Sequence, residues 1–125
     1  MIFDTDILIW MLRGYSAAGQ LVNKTDIREI SLQSQLELFQ GVKSKRELLL
    51  IKSILHEYSF NILPLSENIG HRAAIYIEEF SLSNGLEAGD AIIAATAVEH
   101  NQILATSNVK HFKFIPGLEL KTFKP

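Results

Sequence analysis

The sequence contains no cysteine. That excludes a disulfide framework, zinc–thiolate sites and cysteine nucleophiles, and it suits a reducing cytosol. No apolar run approaches the roughly 18 to 20 residues needed to cross a bilayer, and no basic segment precedes the apolar start, so neither a membrane anchor nor a signal peptide is expected. Internal repeats, low-complexity tracts and interdomain linkers are also missing. The chain lacks an excess of positive charge as well. Its formal net charge is -2, which leaves it without the basic footprint of a typical nucleic-acid binder. That weighs against nucleic acid as a partner without deciding the matter, because an acidic metal site subtracts charge that a bound cation restores, and basic residues can cluster.

What remains is an ordinary globular composition. The 125 residues are 47% hydrophobic and 21% charged, a balance that argues against wholesale disorder. The length suits one hydrophobic core and one domain spanning residues 1–125.

Apolar patterning predicts an alternation of strands and helices. Ile2-Phe3 reads as a short buried strand, and Ile7 to Leu12 as the start of a helix that ends near Gly14. Ser16 is read as the cap of a second helix through Asn23. Strand residues are expected at Ile27 to Leu32, Phe60 to Leu63, Ile103 to Thr106 and Leu118 to Lys121. Helices are expected from Gln33 to Val42, after Arg46 through Tyr58 (with Leu48, Ile51, Leu55 and Tyr58 at helical spacing), and from Ser66 with Ile69, Ala73, Tyr76 and Phe80 on one face. The run from Asp90 to Val98 is apolar almost all round and should be a buried helix. Residues 107 to 112 are read as a loop. This order predicts a three-layer α/β/α sandwich with a mostly parallel central sheet of four to five strands.

In such sheets, ligands bind beyond the carboxyl ends of the strands, at the switch in strand order. That rule gathers Asp4, Glu37, Asp90 and Asn108 at one edge. Carboxylates forced together raise each other's pKa, and a hard divalent cation removes the conflict. All-oxygen ligands favour Mg²⁺ or Mn²⁺ over zinc. Such an ion suits phosphodiester hydrolysis. Taken singly, each residue has a plainer role: Asp4 as a helix cap, Asp90 as a favourable charge at a helix start, Glu37 as a solvated face residue and Asn108 as a turn residue.

The same residues form four motifs. Phe3-Asp4-Thr5-Asp6-Ile7-Leu8-Ile9, Leu36-Glu37-Leu38-Phe39-Gln40-Gly41, Gly89-Asp90-Ala91-Ile92-Ile93-Ala94-Ala95-Thr96-Ala97 and Leu104-Ala105-Thr106-Ser107-Asn108-Val109-Lys110-His111-Phe112 stand in an order that resembles the PIN-domain ribonucleases. Among these, the resemblance is to the toxin of VapBC-type toxin–antitoxin pairs. It runs nearly end to end. It implies a metal-dependent endoribonuclease that cuts structured RNA. Asp4 and Asp90 would hold the ion, Glu37 would join them, and Glu37 and Asn108 would position waters for in-line attack on phosphorus. Thr106 would fill a hydroxyl position facing substrate. The resemblance also implies a homodimer in the cytoplasm, held by an antitoxin whose tail fills a groove near the acids, with helices over residues 33 to 58 as interface material. One departure is notable: many members carry aspartate where this chain has Asn108. An amide adds no charge, so one well-bound ion is expected rather than two.

Asp6 is read as local support for the first helix in preference to a group behind the metal ligands. Trp10 and Met11 are read as core. Lys43, Lys45 and Arg46 are either phosphate contacts or a solvated helix junction, and Lys110 is the better phosphate candidate. His56, His71, His100 and His111 show no metal-ligand spacing. A haloacid-dehalogenase-like phosphatase also opens with an Asp-x-Asp pair, but the lysine motif and longer chain it needs are missing. A catalytically silent binding module of the same fold would have no reason to keep Asp4, Glu37 and Asp90 together.

Overall fold

Ile2 and Phe3 are both fully buried, so the first strand has apolar surroundings on both faces, as central strands of parallel sheets do. The computed structural model describes all 125 residues. Its elements are β1 (Ile2–Phe3), α1 (Thr5–Leu12), α2 (Ser16–Lys24), β2 (Glu29–Ser31), α3 (Leu32–Gln40), α4 (Lys45–Glu57), β3 (Asn61–Leu63), α5 (Glu67–Asn84), α6 (Ala88–Glu99), β4 (Leu104–Thr106), a 3₁₀ turn (Val109–His111) and β5 (Leu120–Thr122). The five strands lie in the order β3-β2-β1-β4-β5 and every pairing is parallel. This is the expected α/β/α sandwich.

Side-chain alternation splits the interior into two cores. Ile2 and Leu104 face one side and pack with Ile69, Ala73 and Tyr76 of α5 and with Ile93 and Ala97 of α6. Phe3 and Ala105 face the other side, against Ile7 and Leu8 of α1, Val22 of α2, Leu38 of α3 and Ile51 and Leu55 of α4. Phe3 also meets Phe60 edge to face, with ring centroids 5.8 Å apart. Helix α6 is buried almost all round. Four of its alanines, Ala91, Ala94, Ala95 and Ala97, have no exposed surface, and these small side chains let backbones approach closely. No helix is long and apolar enough to cross a membrane.

Local signals set several boundaries. Ser66 caps α5 by accepting from the Ile69 N–H at 3.2 Å, and Gly85 ends the helix at φ 69°, a left-handed conformation that glycine adopts without a Cβ penalty. Ser31 caps α3 through the Gln33 N–H. Three expectations are corrected. Ser16 is the first residue of α2, and its capping position is Tyr15, which makes no side-chain cap. Residues 109 to 111 form a 3₁₀ turn within the expected loop. The last strand runs Leu120–Thr122 rather than 118–121, because β4 dictates its register: Leu104 pairs with Leu120 and Thr106 with Thr122. Trp10 is half-buried at the margin of the second core and stacks edge-on to Tyr15 at 4.4 Å.

Strand order reverses at β1. From there the chain goes to β2 on one side, while β4 flanks the other side. The crevice beyond the carboxyl ends of β1 and β4 is therefore the place where this topology builds a site.

Candidate active site

Asp4 follows β1 directly and is buried, only 5% exposed. Its Oδ1 accepts the Thr5 N–H at 2.8 Å, which caps α1. Its Oδ2 accepts the Thr106 hydroxyl at 2.7 Å, across 102 residues of sequence. Asp4 is thus a helix cap and a member of the acidic edge at once. Burial pushes its carboxyl up to about 7 from 3.8. The nearby Asp6 charge adds to the rise and Asp90 adds less, while the bonds from Thr106 and Thr5 oppose it.

Glu37 is held from behind. The Thr5 hydroxyl lies 2.6 Å from Glu37 Oε1 and 2.9 Å from Ser34 Oγ. Having one proton, it donates to the carboxylate and accepts from the serine. Gln33 Nε2 donates to Glu37 Oε2 at 3.3 Å. Glu37 also lies against Gly89, where a Cβ would stand 2.8 Å from Glu37 Oε2 and 3.1 Å from Gln33 Nε2. The glycine before Asp90 is therefore required by the close approach of α3 to the start of α6. Since the atoms in the way are ends of flexible side chains, Gly89→Ala should leave the melting temperature within a few degrees of wild type and cost activity about 10- to 100-fold through a displaced Glu37. Thermal unfolding measured beside the RNA cleavage that the family resemblance implies checks this. A variant with full activity would mean that the position of Glu37 is not critical.

Asp90 sits in the first turn of α6. Burial raises its carboxyl above the ordinary value. The His111 ring opposes this, and the Glu37 and Glu87 charges add to it. His111 Nδ1 lies 3.4 Å from Asp90 Oδ2. That contact was not legible in sequence spacing, because the 3₁₀ turn after β4 delivers it.

Asn108 opens that turn. Its N–H donates to Thr106 Oγ1 at 3.0 Å, and its Nδ2 donates to Asp6 Oδ2 at 3.2 Å. Thr106 is corrected as a substrate contact. It is fully buried, its one proton goes to Asp4 and its oxygen accepts from Asn108, so it orients Asp4. Asp6 lies in the first turn of α1, as expected, and its Oδ2 also takes the Ser107 N–H at 2.9 Å and the Ser107 hydroxyl. Ser107 and Thr5 carried no signal in the sequence beyond their place in the motifs, and Ser34 lies outside the motifs altogether.

Lys110 is exposed on the turn beside His111, while Lys43 and Arg46 are exposed around the N-terminal end of α4. None of the three is hydrogen-bonded or ion-paired through its side chain to the carboxylates. A groove of about 360 Å³ runs beside Glu37, lined by Ile9, Leu12, Leu38, Val42 and Leu50, with Arg13 at its wall.

The donor set is all oxygen, and burial makes its charges costly. Asp6 Oδ1 is buried with no hydrogen-bond partner. Both features fit a hard divalent cation. The acids are not folded into a closed cage, however: no three of them stand close enough together to enclose an ion as placed. Asp4 is turned to Thr106, Glu37 to Thr5 and Asp90 towards His111.

Comparison with known proteins places the chain in a family. The family model described as PIN domain matches residues 1–116. The chain is 34% identical to Ribonuclease VapC10 of Mycobacterium tuberculosis, over 95% of this chain and 90% of that protein. It is also 34% identical to a chain of a toxin-antitoxin complex from Klebsiella pneumoniae, with a TM-score of 0.80 over 97% of this chain and 95% of that one. A chain of VapBC2 from Rickettsia felis, solved bound to a DNA fragment from its promoter, matches at 25% identity with a TM-score of 0.79, over 99% of this chain and all of that one.

Proposed function

This chain belongs to the PIN domain family, and we propose that it is a Mg²⁺- or Mn²⁺-dependent endoribonuclease, the toxin of a toxin–antitoxin pair. The observation that supports the activity is that Asp90 lies near enough to Asp4, and Glu37 to Asp90, for their charges to act on one another. The raised carboxyls of Asp4 and Asp90 mark a cost that a cation would relieve. The relatives add the class: a protein named a ribonuclease at 34% identity, and toxin–antitoxin complexes of the same fold.

In this reading Asp4 and Asp90 hold the ion, with Glu37 as a third oxygen donor. A bound divalent cation supplies Lewis-acid chemistry, lowering the pKa of water and neutralising charge on a phosphoryl oxygen. The protein supplies order. Thr106 and the Thr5 N–H fix the two oxygens of Asp4, and the Thr5 hydroxyl and Gln33 fix Glu37. Asn108 has its Nδ2 tied to Asp6, which leaves its Oδ1 to accept from a water. Lys110 contacts a phosphate at the rim, and Lys43 and Arg46 contact phosphates further along the strand.

The antitoxin occupies the groove between α1, α3 and α4. Apolar side chains there suit a partner segment with an apolar face, and Glu37 at its end suits a basic residue. The protein acts as a homodimer of single PIN domains, residues 1–125, in the cytoplasm. The phosphatase alternative is set aside by the extent of the family match.

The test is cleavage of a structured RNA by purified protein freed of antitoxin. Cleavage is expected with Mg²⁺ or Mn²⁺ and is lost with EDTA. Cleavage undiminished by EDTA would overturn the metal dependence. No cleavage of any RNA in a total cellular pool, with either ion, would favour a silent binding module.

A further inference from the structure

Asp6 makes more hydrogen bonds than any other acid at the strand edge, yet the mechanism above does not use it. Its Oδ2 accepts three donors: the Ser107 N–H, the Ser107 hydroxyl and Asn108 Nδ2. Its Oδ1 is buried and accepts none. A brace for Ser107 and Asn108 needs one acceptor oxygen, whereas the second oxygen of Asp6 is left buried without a partner, which is a costly arrangement. Bracing alone therefore does not account for an acid at this position.

Residue 108 supplies the rest. The amide of Asn108 donates to Asp6 at 3.2 Å, so the two form a matched acceptor and donor. An aspartate at 108 would set two carboxylates against each other at that distance, and like charges so close cannot both ionise without cost. An acid at 6 and an amide at 108 together carry one negative charge, as would a neutral residue at 6 with an acid at 108. Asp6 is near enough to Asp4 for its charge to act there.

We propose that Asp6 is a positioning residue for RNA cleavage: paired with Asn108, it supplies to the crevice the charge that residue 108 lacks, and it holds the turn that carries Thr106 and Asn108 against Asp4. The proposal rests on the metal-dependent nuclease reading.

Three variants of the full chain test it: Asp6→Asn, Asn108→Asp and the two combined, which exchanges acid and amide. Mn²⁺ affinity is measured by calorimetry, thermal unfolding is followed without metal, and RNA cleavage is assayed in parallel. Asp6→Asn is expected to weaken both Mn²⁺ binding and cleavage about 10- to 100-fold, the range for groups that orient metal ligands. Asn108→Asp alone should lower the melting temperature of the metal-free protein, because it adds a facing carboxylate. The combined variant should recover Mn²⁺ affinity and cleavage to within about threefold of wild type. Asp6 acting only as a brace would lower the melting temperature while folded protein kept its Mn²⁺ affinity, and that result overturns the proposal. So does a combined variant no better than Asp6→Asn. Should Asp6→Asn fail to fold, the combined variant still decides, since it restores an acid and an amide in contact. Wild-type protein that neither binds Mn²⁺ nor cleaves RNA overturns the nuclease reading instead. A wild type that does both, with Asp6→Asn unaffected, overturns only the role of Asp6.

Discussion

RNA cleavage by Asp4→Asn and by Asp90→Asn should fall at least about 100-fold below wild type if the two acids hold the ion as proposed, because losing an ion's own ligand costs no less than losing a group that orients one. Asparagine keeps the shape of each side chain and removes its charge. At Asp4, the amide oxygen can still accept the Thr5 N–H, so the α1 cap survives. At Asp90, the loss of a charge in the first turn of α6 costs about 0.3 to 1 kcal/mol of helix stabilisation. The two plainer roles make the opposite forecast: a cap or a dipole partner would change stability and leave cleavage intact. Steady-state cleavage of one RNA by folded variants separates the two. Activity within a few-fold of wild type in both would remove these acids from the mechanism.

Stability of the metal-free protein should fall as pH rises from about 4 to about 7, and Asp4→Asn should abolish much of that slope. Asp4 titrates near 3.8 when exposed and near 7 in the fold. Between those values the folded chain holds a proton that the unfolded chain has released, so raising the pH favours unfolding. Below the window the carboxyl is neutral in both states and costs nothing. Above it the full cost applies, about 4 kcal/mol for a rise of this size. At pH 8, Asp4→Asn should then melt higher than wild type, by less than this full cost, because the amide nitrogen cannot accept the Thr106 hydroxyl that Asp4 Oδ2 accepts. Mg²⁺ or Mn²⁺ should raise the wild-type melting temperature more at pH 8 than at pH 5, because at the lower pH the ion must displace a proton. Thermal unfolding across pH, with and without the ion, checks both statements. A wild type that gains stability between pH 4 and 7 relative to Asp4→Asn would show that the burial of Asp4 is already compensated. An inactive variant more stable than its parent is the mark of an acid kept for chemistry rather than for the fold.

Much of the fold was legible because its signals are local. The apolar pairs Ile2-Phe3 and Leu104-Ala105 mark strands covered on both faces, and these became adjacent strands at the centre of the sheet. Ser66 three residues before Ile69, and Gly85 after the last turn, bound α5 without reference to anything else in the chain. Boundaries failed where a distant partner decides them. Ser16 has a capping side chain but lies one residue inside its helix. Leu118 continues the apolar alternation of the last strand, but the pairing begins where β4 begins.

By itself the sequence determined which residues carry charge and the alternation of strands and helices, and from these the expectation that Asp4, Glu37, Asp90 and Asn108 lie toward one edge of a parallel sheet. Only the tertiary structure decided what each does there. It turned Thr106 inward to Asp4, set the Thr5 hydroxyl on Glu37, made Gly89 the gap that Glu37 needs, brought His111 to Asp90 and gave Asp6 three donors from a turn about a hundred residues away. The physical reason is that hydropathy periodicity depends on neighbours along the chain, whereas a hydrogen bond between two strand ends depends on sheet register and side-chain direction to within about an ångström.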